Sequence, residues 1–182
     1  MPRIPPITGK PDVAPEYHDV VDAIISVFGT VRGPFSMLLR SPELAKRLLP
    51  LVPFFREQSV VEPRLRMFGV LAAVREREAA YVWAAQVALA HRIGFPEDAI
   101  DLLRAKGDPS GLPPEERHVV LYARQLMRTN RVEQAVFDAM RGRRSEQWMV
   151  ELTAAINFYA MLCGIVNAFE VPAPADGDRL PD

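Results

Sequence analysis

One cysteine in 182 residues is the first absence that matters. A lone thiol, Cys163, cannot close an intrachain disulfide and cannot form a Cys-x-x-Cys redox pair. Histidine is almost as scarce. His18, His91 and His118 are scattered, with no pair spaced to put two metal ligands on one helix face. No glycine-rich run of the kind that cradles phosphate occurs. An excess of charge of either sign is missing too: 22 Lys and Arg against 23 Asp and Glu leave a net charge of -1. Such a chain has no field to steer it to nucleic acid or to an anionic membrane. The opening residues Met1-Pro2-Arg3-Ile4-Pro5-Pro6 lack the apolar stretch of a secretory leader. Charges also interrupt the apolar runs before they reach spanning length. The expectation is a cytoplasmic chain with no nucleic-acid or membrane partner, no metal and no cofactor.

What is present is an ordinary core-forming composition, 49% hydrophobic and 25% charged, enough for one domain of this length. Residues 1–15 are proline-rich and residues 172–182 are rich in Pro, Asp and Gly, so both read as tails, the first extended and the second flexible. Between them the periodicity is helical. Tyr17, Val20, Val21, Ile24, Ile25 and Phe28 form one stripe. Ser41-Pro42-Glu43 reads as a helix start with Ser as N-cap, and Pro50 and Pro53 make the end of that helix irregular. Pro63 opens a helix through Leu65, Phe68, Leu71 and Val74, closed by the charged knot Arg75-Glu76-Arg77-Glu78. Ala79 to Ile93 follows, ended by Gly94. Shorter helices begin at Pro96, Pro113-Pro114 and Val132. Ser145 caps the longest one, with Trp148, Leu152, Ile156, Tyr159, Cys163 and Val166 on one stripe. No period-two strand competes, so the fold class is all-α, a single helical domain over residues 16–171.

The run Arg66-Met67-Phe68 through Ala79-Ala80-Tyr81-Val82-Trp83-Ala84-Ala85-Gln86 to His91-Arg92-Ile93-Gly94 resembles the core of the carboxymuconolactone decarboxylase / alkylhydroperoxidase-D (AhpD-like) family. The likeness covers about residues 60–171, with the helices before residue 60 as an N-terminal helical extension. It implies a small-molecule substrate, a homo-oligomer (trimer or hexamer) and a place in aromatic compound catabolism. In the hydroperoxidase branch two cysteines three residues apart share this helix with a relay histidine, and a glutamate sits on the helix before. Those cysteine positions fall here on Ala79 and Val82 and the histidine on Gln86. The glutamate falls on Met67, or on Leu65 if two residues are inserted in the charged knot. Thiol-peroxidase chemistry is therefore argued against. The decarboxylase branch needs no thiol, and it implies a cofactor-independent lyase whose active site is altered. The alternative is a non-catalytic ligand-binding or scaffold member of the same fold.

The candidate residues follow from that helix and its neighbours. Gln86 and Val82 are one turn apart and share a face. A glutamine on an otherwise apolar face must find a partner if buried, either a neighbouring helix or a ligand. Tyr81 can donate a hydrogen bond to a carboxylate or carbonyl, or simply pack. Trp83 lines the pocket or fills the core. Glu78 either neutralises the arginines of the knot or reaches into the pocket in place of the missing carboxylate. Arg66 binds a substrate carboxylate as a planar fork or makes a surface ion pair. The working assignment is Gln86, Tyr81 and Glu78 as catalytic, and Arg66, Val82 and Trp83 as substrate-binding. His91 and Cys163 read as structural. The apolar stretch from Leu48 to Phe55 covers a partner subunit or roofs the domain's own core.

Overall fold

The computed structural model describes residues 2–181 and is helical from Lys10 to Ala168, with no strand among the described residues. Ten α-helices follow in order: α1 His18–Phe28, α2 Pro34–Leu38, α3 Pro42–Leu48, α4 Leu51–Pro53, α5 Pro63–Glu76, α6 Ala80–Arg92, α7 Glu97–Arg104, α8 Pro114–Thr129, α9 Gln134–Arg141 and α10 Glu146–Ala168. Helix α5 is the axis of the molecule. Its residues from Met67 to Arg75 are buried without a break, because α8, α10 and α6 all pack on it. Gly69 permits this crowding. A Cβ there would stand 3.2 Å from Leu152 Cδ1 and 3.3 Å from both Ile156 Cδ1 and Val119 Cγ1. Such spacing leaves no slack in a close-packed interior.

Helix α10 carries the expected stripe, and Ser145 caps it by accepting from the Trp148 N–H at 3.1 Å. Ser41 occupies the N-cap place of α3 but makes no side-chain capping bond. One expectation needs correction. Charges were expected to break every apolar run, yet α10, 23 residues long, holds an 18-residue window of mean hydropathy 1.7, long and apolar enough to cross a membrane. Its Trp148–Val166 face is buried against α5, α2 and α6, so the core accounts for that apolarity.

The proline-broken stretch roofs the domain's own core. Leu49, Val52 and Phe55 are buried, and the Phe55 ring lies 5.6 Å from that of Phe158 on α10. After Pro53 the chain makes a π turn, Phe54–Gln58, closed by the Ser59 N–H on the Phe54 carbonyl at 3.0 Å. Neither terminal segment stands off the domain. Ile7 is buried and its N–H donates to the Ser36 carbonyl, while Arg3 pairs with Glu170. At the other end Gly177 lies against Ala84 of α6, and Asp178 accepts hydrogen bonds from Trp83 and Arg104. Proline and glycine content signals irregular backbone, which is a different property from being undocked.

Candidate small-molecule site

Helix α6 begins where the charged knot turns the chain back. Glu78 takes a left-handed φ of 50°, and the buried Ala79 serves as N-cap. From there Tyr81, Val82, Ala85, Gln86, Ala88 and Arg92 fall on one side at helical spacing and form the floor of a cavity of about 180 Å³. The end of α1 (Val27, Phe28), the Arg32–Phe35 turn into α2, Val52 of α4 and Arg56 of the π turn form the roof. Tyr159 and Leu162 of α10 close the back.

Gln86 is only 5% exposed, and its carboxamide pairs with no described protein group; it opens onto the cavity. Of its two sequence readings, the neighbouring-helix partner is absent among the described residues. A polar group so placed takes its hydrogen bonds from whatever occupies the cavity. Val82 lies one turn before it and also lines the wall. Tyr81 is half-buried against the Arg32–Gly33 turn. Gly33 has φ 61°, and a Cβ there would sit 2.2 Å from Tyr81 Cε1, so only glycine allows this approach. Burial pushes the Tyr81 hydroxyl up from its usual range, with the Arg32 charge pulling the other way. The phenol is therefore protonated at neutral pH.

The charge of the cavity is one-sided. Arg32, Arg56 and Arg92 line it, and no aspartate, glutamate, histidine or cysteine does. None of these three arginines makes an ion pair among the described residues. Tyr159 adds a second phenol to the wall. The sequence reading missed these four residues. Arg92 was legible in principle, since it continues the Tyr81–Ala85–Ala88 stripe by one more turn. Arg56 was not, because it sits in a proline-broken segment with no periodicity to place it.

The remaining candidates lie elsewhere. Trp83 is fully buried on the far side of α6, where its indole Nε1–H donates to Asp178 Oδ1 at 2.6 Å. Glu78 does not reach the cavity. Arg75 and Lys106 capture it, and the Lys106 hydrogen bond is the main reason its carboxyl sits below the usual range. Arg66 does not line the cavity either. It donates to the Val61 carbonyl at 3.0 Å and to the Arg56 carbonyl at 3.3 Å. Burial pulls its guanidinium down from the ordinary value, Tyr159 opposes this, and the like charge of Arg56 adds to it. His91 is exposed and faces Glu97 at 2.9 Å. Cys163 is fully buried on α10, its thiol pushed up to about 12 by burial, so no thiolate forms near neutral pH.

No protein-family model matches the chain, and no curated protein is recognisably similar to it in sequence. Solved structures do match its shape. The debrominase Bmp8, as a cysteine-to-alanine variant in complex with 2,3,4-tribromopyrrole, superimposes with a TM-score of 0.75 at 17% identity, over 96% of this chain and 95% of that one. A peroxidase-related protein with an alkylhydroperoxidase AhpD core, from Ralstonia eutropha, gives 0.74 at 16% identity and 95% of each chain. The chain has the AhpD-like helical fold. A protein of unknown function from Agrobacterium tumefaciens gives 0.69 at 19% identity, covering 76% of this chain and 96% of its own. The AhpD-like match thus extends well beyond residues 60–171. In the first two comparisons the N-terminal helices have counterparts in the other chain. The shorter Agrobacterium chain leaves about a quarter of this one unmatched.

Proposed function

We propose that the protein binds a small organic acid in the α6 cavity and acts on it as a cofactor-independent, decarboxylase-type lyase. The carrying observation is the lining: three guanidinium groups, two phenols and one carboxamide among apolar walls, with no carboxylate to answer them. An anion with an apolar body complements such a wall. A cavity on the order of 150 Å³ holds a benzene ring, so about 180 Å³ suits a single ring bearing a carboxylate or a lactone. The complex of the debrominase with a brominated pyrrole supports a ring-sized ligand in this fold.

The chemistry follows from the donors. Loss of carbon dioxide breaks a carbon–carbon bond and leaves its electron pair on the substrate. Where a carbonyl stands beta to the carboxylate, that pair becomes an enolate. Hydrogen-bond donors fixed at the enolate oxygen lower the barrier. The Tyr81 hydroxyl and the Gln86 N–H are such donors. Gln86 exchanges no proton near neutral pH, so the proton that ends on carbon comes from Tyr81 and is replaced from water. Incubation with ring-bearing keto acids and lactone acids, followed by proton NMR, tests this. Substrate loss with matching carbon dioxide release is expected, and Tyr81→Phe should lower kcat by about 10²-fold or more. Binding without any consumption would overturn the lyase reading.

That outcome belongs to a second reading, a ligand-binding protein without turnover. It is favoured by the absence from the lining of any histidine, carboxylate or thiol.

A further inference from the structure

We infer that the anionic group of the ligand is seated by Arg56, carried on the π turn, and that Arg66 is the positioning residue holding that turn. This rests on the organic-acid reading above and deepens it. Arg32 and Arg92 are exposed cavity-lining arginines, whereas Arg56 is part-buried. Its Nε is sealed from solvent and has no hydrogen-bond partner. Its guanidinium lies 5.5 Å from the centroid of the Phe28 ring, which occupies one face and leaves the edge of the planar fork for a ligand. Only that Nε is buried; the two Nη groups remain for a ligand, and the cavity beside them offers no protein anion. A carboxylate that accepts two parallel N–H bonds satisfies both the charge and the geometry.

The backbone supports the same assignment. A π turn is a strained and uncommon device that often marks a functional place, and here it carries Arg56. Arg66, from the first turns of α5, donates to the carbonyls of Arg56 and Val61 and so ties the turn to the core from behind. Exposed Arg32 and Arg92 attract an approaching anion and contribute less once it is bound.

The test is calorimetric titration of the full chain with a panel of single-ring carboxylates beginning with benzoate, each beside its uncharged amide, and with inorganic phosphate. Variants are Arg56→Gln, Arg56→Lys, Arg66→Met and Arg66→Lys, with unfolding curves for each. Wild type should prefer carboxylate to amide. Arg56→Gln should lose about tenfold to a hundredfold of carboxylate affinity and leave amide affinity unchanged, with Arg56→Lys between them. Arg66→Met should lower the carboxylate-to-amide ratio, and Arg66→Lys should recover part of it, a change that a merely structural role would not produce. Carboxylate binding to wild type that survives undiminished in Arg56→Gln would overturn the assignment of Arg56 alone. Tighter binding of phosphate than of any carboxylate would overturn the choice of anion. No anion binding to wild type would overturn the organic-acid reading itself.

Discussion

Gln86 carries the site at the scale of single residues, and its burial without a protein partner makes a clear prediction. Gln86→Leu should leave the unfolding temperature unchanged or raise it slightly, because no intramolecular hydrogen bond is lost and a polar group leaves an apolar wall. The same variant should lose the stabilisation that a bound acid gives. A fall of several degrees without ligand would show that Gln86 is a structural partner after all. Cys163 predicts the opposite kind of silence. With the thiol held up to about 12, thiol reagents at pH 8 should label unfolded chain only. The group is raised in the fold, so its contribution is complete below 9.0, the ordinary thiol value, and is lost as pH rises from there through about 12. Stability measured by urea unfolding should therefore decline on the alkaline side, less so in Cys163→Ala. At this scale the sequence was half legible. Periodicity placed Gln86 and Val82 together, and it put Cys163 in the core. Trp83 was assigned to the ligand, yet one residue past Val82 it turns about a quarter-turn off the cavity face, and no local pattern shows that Asp178 returns to meet it.

Elements explain what single residues could not. The cavity exists because four separate segments close over α6, and the Arg32–Gly33 turn fixes the one that touches Tyr81. Gly33→Ala should destabilise by about 2 kcal/mol or more, since φ 61° strains an alanine and its Cβ would overlap the Tyr81 ring. It should also displace Tyr81 and weaken ligand binding, which titration beside wild type would reveal. On the opposite face of α6, the C-terminal segment is fastened by Asp178 to Trp83 and Arg104. Asp178→Ala leaves a fully buried indole N–H unpaired, so a loss of about 1–3 kcal/mol is expected in urea unfolding. If that segment were a loose tail, as its composition alone suggests, the variant would match wild type. Helix existence was readable from periodicity, caps and prolines. The docking of segments was not, because a proline-rich stretch has no period to say which face it covers.

The whole molecule is a bundle around α5, and its charges join the ends of the long helices. Glu62 precedes α5 and accepts from the Trp148 indole N–H at 2.7 Å and from Arg144 at 2.5 Å near the start of α10. Burial works against its charged form, but those hydrogen bonds and the Arg144 charge outweigh it and bring the carboxyl below its ordinary 4.5. A lowered carboxyl supports the fold above that ordinary value and stops doing so as pH falls through the folded one. Acid unfolding curves should therefore show a steep limb below about pH 4.5 that Glu62→Gln makes shallower. The fold class was fully legible at this scale, since an unbroken helical period excludes a sheet. The function was legible only as a vacancy in the sequence pattern, with Ala79, Val82 and Gln86 where reactive groups are expected. Folding brings to that vacancy three arginines without an ion pair among the described residues, and their convergence is a long-range fact that no local spacing encodes.

Thermal unfolding with a panel of single-ring carboxylates, comparing wild type with Ala85→Phe, tests the central claim most directly. Ala85 lines the cavity and is otherwise exposed, so a phenylalanine there fills the space without disturbing the core. A binding acid supplied at about a hundred times its Kd should add roughly 2.7 kcal/mol of apparent stability to wild type and nothing to the blocked variant. Equal shifts in both proteins, or none in either across the panel, would contradict an organic-acid site on α6.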